Sequence, residues 1–268
     1  MRLRPHVLLL LFTLAALVGG AALYFQGGND NVVLTIYADR TLQPALEEIV
    51  GDYVNLLASQ GVNVEVKYIY GSSGFALSQL ELAGSGDLYV ADGLHYAMIG
   101  VEKGVLDGDS VKKIGVIRLA LIVAEGNPKG IKGLSDALTR PDVKLAVGNP
   151  EHVTAGVLAW RLFDDIGVKG KVEQLVGEGR VVVVESAFQA ANLVVLGVVD
   201  AALTFNIYNT FYPSELDEVY DPQVASVRDY VVVALPSSRG PLAEDLYTFV
   251  LENAGVFYKY GVEPLDDD

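Results

Sequence analysis

Hydroxyl-bearing and small residues stand at four points where a predicted strand gives way to a predicted helix. Such a junction leaves backbone N–H groups without intrahelical partners, and the helix dipole adds partial positive charge there. Several junctions that converge on one point would bind an anion without any lysine or arginine. The four junctions are Thr41, Ser72-Ser73-Gly74, Thr154-Ala155-Gly156 and Ser186-Ala187.

Each junction taken alone is also explained as an ordinary capped helix, because Ser and Thr are common N-cap residues. The first junction has one further feature. If Thr41 is the N-cap, Pro44 occupies the third helical position and supplies no N–H. The Thr41 hydroxyl then has one helix donor fewer to accept from, which leaves it freer to donate to a ligand.

The junctions belong to a regular alternation of strands and helices. β-branched runs predict strands at 32–37, 64–69, 87–91, 115–124, 144–147, 181–184, 201–205 and 230–235. Apolar periodicity predicts helices at 42–59, 75–83, 96–103, 134–138, 157–166, 187–196 and 242–258. The alternation predicts an α/β protein with mainly parallel sheets. In open sheets of this kind ligands bind at the carboxyl ends of the strands.

Composition excludes several classes of protein. The chain has 268 residues, of which 51% are hydrophobic, so it is too apolar to be disordered. A net charge of −15 argues against a nucleic-acid partner, because phosphate contacts need a basic surface. With no cysteine there is no thiolate nucleophile, iron–sulfur cluster or disulfide scaffold. The three histidines have no spacing typical of metal ligands, and we expect no metal site and no cofactor.

The N-terminus indicates export. Arg2 and Arg4 precede an uncharged apolar run at 7–25, which is typical of a signal peptide and is also almost long enough to span a membrane. We therefore expect residues 1–30 to be a cleaved signal peptide or a retained anchor. The remaining chain would act outside the cytoplasm, in the periplasm or at the cell surface.

Five segments carry a resemblance to a known family. The chain resembles the periplasmic molybdate- and tungstate-binding proteins of ABC importers over about residues 34 to 262. The most specific segment is LAVGNPEHVTAG at 145–156, which is similar to the GDPEHVPAG loop of that family. The other segments are LTIYADRTLQPAL at 34–46, IYGSSGFALSQL at 69–80, GDLYVADG at 86–93 and YKYGV at 258–262.

The resemblance implies a two-lobed type II periplasmic binding protein fold that closes around a tetrahedral oxyanion. It implies lobe I at 31–116 with about 229–268, lobe II at 117–228, a monomeric state and ABC permease subunits as partners. It also implies that the ligand-binding residues are Thr41, Ser73, Ala155, Ala187 and the residue at Phe205. Sulfate, phosphate or an organic carboxylate remain alternatives to molybdate and tungstate.

The chain departs from the family pattern in two places. Phe205 stands where the family has a tyrosine donor, and Asn206 or Tyr208 would replace it after a small shift in register. Asp39-Arg40 stands where the family usually has small residues. Arg40 either adds a positive charge to the pocket or points outward, and Asp39 is unfavourable beside an anion unless it binds Arg40.

Two further residues are candidates for the site, and two other functions remain open. Ser72 adjoins the second junction, and it too is a candidate ligand-binding residue. Arg118 lies within an apolar strand and either reaches the cleft or pairs with an acid across the lobes. A less favoured alternative is a membrane-anchored hydrolase with Ser73 and His152, oriented by Glu151 or Asp92. A third reading is a sensor or adhesion module that binds ligand without docking to a permease.

Overall fold

The computed structural model describes residues 32–265. The predicted signal or anchor at 7–25 lies outside this range. Within it, the strands are β1 (Val32–Asp39), β2 (Val64–Gly71), β3 (Leu88–Ala91), β4 (Lys112–Ala124), β5 (Leu145–Gly148), β6 (Val181–Val184), β7 (Ala201–Phe205), β8 (Leu216–Val219) and β9 (Arg228–Ala234).

The helices of the described range alternate with these strands. They are α1 (Gln43–Ser59), α2 (Ser73–Ala83), α3 (Leu94–Glu102), α4 (Leu134–Thr139), α5 (Thr154–Asp165), α6 (Lys169–Gly177), α7 (Ala187–Val195), α8 (Ile207–Phe211), α9 (Pro222–Ala225), α10 (Ala243–Glu252) and α11 (Gly255–Lys259). Two short 3₁₀ turns add Arg40–Leu42 and Gly108–Ser110. In the part of the chain described, no helix is both long and apolar enough to cross a membrane.

The strands form one continuous mixed sheet in the order β2-β1-β3-β9-β4-β7-β5-β6, and β8 pairs with β4. The pairs β1–β2, β1–β3, β5–β6 and β5–β7 are parallel, whereas β4 and β9 run antiparallel to their neighbours. The predicted α/β fold is confirmed. The antiparallel strands are those that carry the chain between the two halves of the sheet.

β4 is the element that joins the halves. Its first part pairs with β9 as far as Arg118, and its second part pairs with β7 from Leu119 onward. We call the half-sheet β2-β1-β3-β9 with its helices lobe I, and the half-sheet β7-β5-β6 with its helices lobe II. The residue boundaries given for the lobes above stay a prediction.

The hydrophobic stripe of α1 shows why the sequence folds this way. Its apolar positions recur at helical spacing, so they fall on one face and pack against the sheet of lobe I. Ile49, Val50, Tyr53 and Leu57 are all buried, and each such side chain contributes on the order of 1.5–3 kcal/mol of burial free energy.

The structure differs from the predicted elements in three respects. It contains the additional elements α6, α8, β8 and α9, which are short or weakly apolar. The predicted closing helix is two helices, because Asn253 ends α10 and its amide donates to the Phe249 carbonyl at 2.8 Å. Thr41 is not an N-cap. It lies in the 3₁₀ turn, Leu42 occupies the cap position, and Pro44 falls in the first turn of α1.

Candidate functional site

A cluster of buried polar residues lies between the lobes, at the carboxyl ends of β1 and β3. We call it the polar floor, and it consists of Asp39, Thr41, Ser73, Asp92 and Tyr208. Each of the five is at most 4% exposed. The first four belong to lobe I, whereas Tyr208 comes from α8 after β7 of lobe II. A site formed by both lobes is what the predicted cleft requires.

The hydroxyls of the polar floor bind its two carboxyls. The Ser73 Oγ lies 2.7 Å from Asp92 Oδ1 and 2.9 Å from Asp39 Oδ2. The Thr41 Oγ1 lies 3.3 Å from Asp92 Oδ2 and 2.8 Å from the Tyr208 hydroxyl. The Thr41–Tyr208 bond therefore joins the two lobes, and it does so at a residue that the sequence predicted as a ligand donor.

The two carboxyl groups are costly to ionise together. Burial raises the pKa of Asp39, although hydrogen bonds from Thr41 and Ser73 oppose the shift. Burial and the neighbouring Asp39 charge raise the pKa of Asp92 well above its usual range. Asp39 also accepts the Thr41 backbone N–H at 2.9 Å, which favours its ionised form. The pair therefore retains a proton more readily than two isolated carboxyls do, and the rise in pKa is the larger for Asp92.

Lobe II contributes the N-termini of two helices. Ala155 is the second residue of α5 and Ala187 the first of α7, so neither N–H has an intrahelical partner. The Ser186 side chain caps α7 by accepting the Gln189 N–H at 3.0 Å. Both alanines are buried. Thr41 and Ser73 thus lie in lobe I and Ala155 and Ala187 in lobe II, and none of the four is among the residues that line the cavity between the lobes.

A cavity of about 280 Å³ opens beside the polar floor. Its lining residues come from both lobes and are Arg40, Gly71, Ser72, Phe75, His152, Glu185 and Ser186. Ser72 is the N-cap of α2 and only 4% exposed, yet its hydroxyl has no hydrogen-bond partner among the described residues. A buried hydroxyl without a partner is unfavourable, and a ligand in the cavity would supply one.

Arg40 carries the positive charge of the cavity. Its guanidinium lies 5.8 Å from the ring centroid of Tyr70 in lobe I and 5.9 Å from that of Phe188 in lobe II. These cation–π contacts hold the side chain between the lobes. Arg40 thus lines the cavity while it stays exposed and donates to Gln43 Oε1 at 3.4 Å, which combines the two orientations considered from the sequence. The hydrogen-bond partners of Asp39 are Thr41 and Ser73, so the expected Asp39–Arg40 pair is not what stabilises this carboxyl.

Three candidate residues lie elsewhere. Phe205 is fully buried in β7 and offers no donor. Asn206 bonds to the backbone of Arg118 and Gly261 at the junction between the lobes. Arg118 does not reach the cleft, because its guanidinium binds Glu218 at 2.5 and 2.9 Å and Glu263 at 3.1 Å. Of the two replacements considered for Phe205, only Tyr208 brings a hydroxyl to the polar floor.

The arrangement does not form a serine–histidine pair. The Ser73 hydroxyl binds the two carboxyls, and His152 Nε2 binds Glu185 instead. Within residues 32–265 no group of three or more His, Asp or Glu side chains has the geometry to hold a metal ion. The site can hydrogen-bond and enclose a ligand, but it has no activated nucleophile at Ser73.

Sequence reasoning missed the main feature of the floor, which is the carboxyl pair. From the sequence, Asp39 is only a partner for Arg40, and Asp92 only an acid for a catalytic serine. The position of each aspartate is nevertheless a signal, because Asp39 ends the apolar strand β1 and Asp92 directly follows the apolar strand β3. Their proximity requires the β1–β3 pairing, in which Ala38 is opposite Val90.

Comparisons with known proteins identify the family and the fold. Residues 34–263 match the family described as "Bacterial extracellular solute-binding protein". A sulfate-binding protein of Synechococcus elongatus is 29% identical over 185 residues, which cover 62% of this chain and 47% of the relative. The chain therefore spans about half the length of that relative.

Two solved structures illustrate the shared fold. The periplasmic molybdate-binding protein of Azotobacter vinelandii has a TM-score of 0.70 at 14% identity, covering 87% of this chain and all of that one. PEB3 of Campylobacter jejuni, solved with L-phospholactate, has a TM-score of 0.65 at 18% identity, with coverage of 87% and 100%. At these identities the likeness concerns the fold.

Proposed function

Because the chain belongs to the bacterial extracellular solute-binding protein family, we propose that it captures an oxyanion between its lobes and delivers it to the permease of an ABC importer. The N-terminal run at 7–25 would export it or anchor it to the membrane. Molybdate and tungstate are the ligands that the sequence resemblance favours, and sulfate and phosphate belong to the same class.

The observation that carries this proposal is the cavity with its unpartnered Ser72 hydroxyl. It adjoins the N-termini of α2 and α7 and the guanidinium of Arg40, which add positive potential, whereas the carboxylate of its lining, Glu185, binds His152. The proteins named in the comparisons bind sulfate, molybdate or L-phospholactate, all of which are anions. An anion of this kind would offer acceptors to Ser72, to the helix N-termini and to Arg40.

Closure is the mechanism that follows. Lobe contacts already include the Thr41–Tyr208 bond and a bond of 3.3 Å from the Gly74 N–H to the His152 carbonyl. An anion bound in the open cleft would bridge the same two faces and favour the closed state. The permease would recognise that closed state.

Thermal unfolding of the full-length chain tests the proposal. Molybdate, tungstate, sulfate and phosphate are added one at a time, and a ligand present at ~100 times its Kd should stabilise the protein by ~2.7 kcal/mol. A melting temperature that none of the four anions changes would contradict oxyanion capture.

The Tyr208→Phe variant tests whether the cleft is the site. Loss of a hydrogen bond to a charged ligand should weaken binding about tenfold. Tyr220 is 71% exposed and is not among the residues that line the cavity, so Tyr220→Phe is the matched control and should bind as the wild type does. Equal affinities in the two variants would place the ligand outside the cleft.

A further inference from the structure

We infer that the Asp39–Asp92 pair makes the cleft selective for an oxyanion that still carries a proton, such as hydrogen phosphate or a phosphate monoester monoanion. This inference rests on the proposed function and narrows its ligand class. It follows from the position of the two carboxyls, from the number of donors that face them, and from the charge that remains on the pair.

The carboxyls adjoin the donors that a ligand would use. Ser72 lines the cavity, and the next residue, Ser73, bonds to both carboxyls at 2.7 and 2.9 Å. A ligand oxygen that accepts from Ser73 or Thr41 would lie within two hydrogen-bond lengths, about 6 Å, of a carboxyl oxygen. At an effective dielectric constant near 20, two like charges at that distance weaken binding by about a hundredfold.

The hydroxyl protons of the floor are shared between acceptors. The single Ser73 hydroxyl proton faces two carboxyl oxygens, and the Thr41 hydroxyl is shared between Asp92 and Tyr208. None of the ion pairs found among residues 32–265 includes Asp39 or Asp92. A ligand hydroxyl would add a donor to this network, whereas a fully ionised anion would add four more acceptors.

The other titratable groups around the pair do not neutralise it. Tyr89 from β3 donates its hydroxyl to the Ser73 carbonyl at 2.9 Å, and Tyr96 from α3 is near both carboxyls. Together with Tyr208 these phenols remain protonated, because burial raises the pKa of each. Thr154 from α5 adds a hydroxyl beside Asp92. The guanidinium of Arg40 lies at the cavity, between the rings of Tyr70 and Phe188.

The chemistry of the candidate anions divides them cleanly. Sulfate, molybdate and tungstate carry no proton near neutral pH, so they meet the pair as full dianions. A phosphate monoester keeps a proton up to a pKa of about 6, and inorganic phosphate keeps one to a higher pH. The P–OH group can donate to Asp39 while the other oxygens accept from Ser72 and from the helix N-termini.

Isothermal titration of the full-length chain at about pH 6 tests the selectivity, with phosphate, phenyl phosphate, sulfate and molybdate as probes. The wild type should bind phosphate or phenyl phosphate at least about tenfold more tightly than sulfate or molybdate. Preference for inorganic phosphate or for the monoester identifies which source of the P–OH group the cleft accepts. Sulfate or molybdate binding as tightly as phosphate would overturn the inference.

The Asp39→Asn variant removes the charge and keeps the shape. Asparagine caps a helical turn as well as aspartate does, so the 3₁₀ turn should survive. The preference for phosphate should fall to below about threefold, with sulfate gaining affinity. Asp92→Asn is the second variant, and an unchanged preference in both would overturn the inference.

Asp87→Asn is the matched control, because Asp87 is a buried carboxyl of lobe I. It accepts the backbone N–H groups of Thr35 at 2.7 Å and Gly240 at 3.0 Å, away from the cleft. This variant should keep the wild-type preference. Failure of all four anions to bind the wild type and the cleft variants would contradict oxyanion capture itself, which separates that failure from a failure of selectivity.

Discussion

At the scale of single residues, the polar floor combines hydroxyl donors, which favour an anion, with carboxyl groups, which disfavour one. Thr41, Ser73 and Tyr208 donate, whereas Asp39 and Asp92 accept. The carboxyls occupy donors that a ligand would need, so the unliganded floor is already internally satisfied. Binding of an anion must rearrange these hydrogen bonds. The protons on the ligand and on the carboxyl pair determine how much binding free energy this rearrangement costs.

The Asp92→Asn variant should flatten the dependence of stability on pH. In the unfolded chain the pKa of Asp92 is about 3.9, whereas in the folded protein its pKa is raised well above that value. The stabilisation of the fold by the neutral Asp92 carboxyl is fully present below the pKa of Asp92 in the unfolded chain. It is lost as pH rises toward the pKa of Asp92 in the folded protein. Between these two pKa values the free energy of unfolding of the wild type should fall by about 1.4 kcal/mol per pH unit for each proton that only the folded state binds.

Urea unfolding at several pH values between about 4 and 8 measures this slope. Over this range the stability of the wild type should fall relative to that of Asp92→Asn as pH rises. Equal slopes in the wild type and in Asp92→Asn would show that Asp92 titrates normally in the folded protein.

At the scale of elements, the loop between β5 and α5 depends on close backbone approach. Gly156 is the third residue of α5, directly after this loop. A Cβ on Gly156 would lie 2.5 Å from the Gly148 carbonyl oxygen and 2.6 Å from that of Asn149. Rigid backbone cannot move aside as a flexible side chain would. The glycine is what allows the start of α5 to pack against the end of β5.

The Gly156→Ala variant should therefore destabilise the protein by about 1–3 kcal/mol through overpacking. It should also weaken anion binding, because the proposed site includes the backbone N–H of Ala155 at the start of α5. Gly170→Ala is the control, since nothing lies within 4 Å of a Cβ there and alanine favours the helix α6. Urea midpoints measure both variants, and a neutral Gly156→Ala would contradict the packing argument.

The sequence predicted most elements because strand and helix periodicities are local properties. Those it missed, such as β8 and α8, are only four and five residues long and carry no periodic pattern. The sequence predicts Thr41, Ser73, Ala155 and Ala187 at junctions because each lies between a predicted strand and the next predicted helix, or at the first position of that helix. The roles of Asp92 and Tyr208 depend on strand pairing and on contact between lobes, which local patterns do not specify.

At the scale of the whole molecule, Arg118 stands where β4 passes from one lobe to the other. Its guanidinium binds Glu218 on β8 of lobe II and Glu263 beside the end of lobe I. The Glu218 and Glu263 carboxylates raise the pKa of Arg118, so it stays charged. This contact links both lobes to the strand between them, and it explains why an arginine stands within an apolar strand.

The Arg118→Gln variant should cost about 2 kcal/mol of unfolding free energy, because two half-buried carboxylates lose their charged donor. Lys103→Gln is the control, since the Lys103–Glu81 pair is exposed and contributes below about 1 kcal/mol. Denaturant unfolding compares the two variants. A loss for Arg118→Gln no larger than for Lys103→Gln would show that this junction contact carries little energy.

Arg118 and Arg228 are partners in the antiparallel register of β4 and β9. The chain therefore leaves lobe I and returns to it at two neighbouring positions of the same sheet. In topology, the chain between Arg118 and Arg228 is an insertion into lobe I, and the two ends of this insertion are adjacent. An insertion of this kind can be exchanged as a cassette between relatives, because the host strands need only be rejoined across one register pair. The part of the cleft that carries α5, α7 and Tyr208 would travel with it, while Asp39, Ser73 and Asp92 would remain with the host.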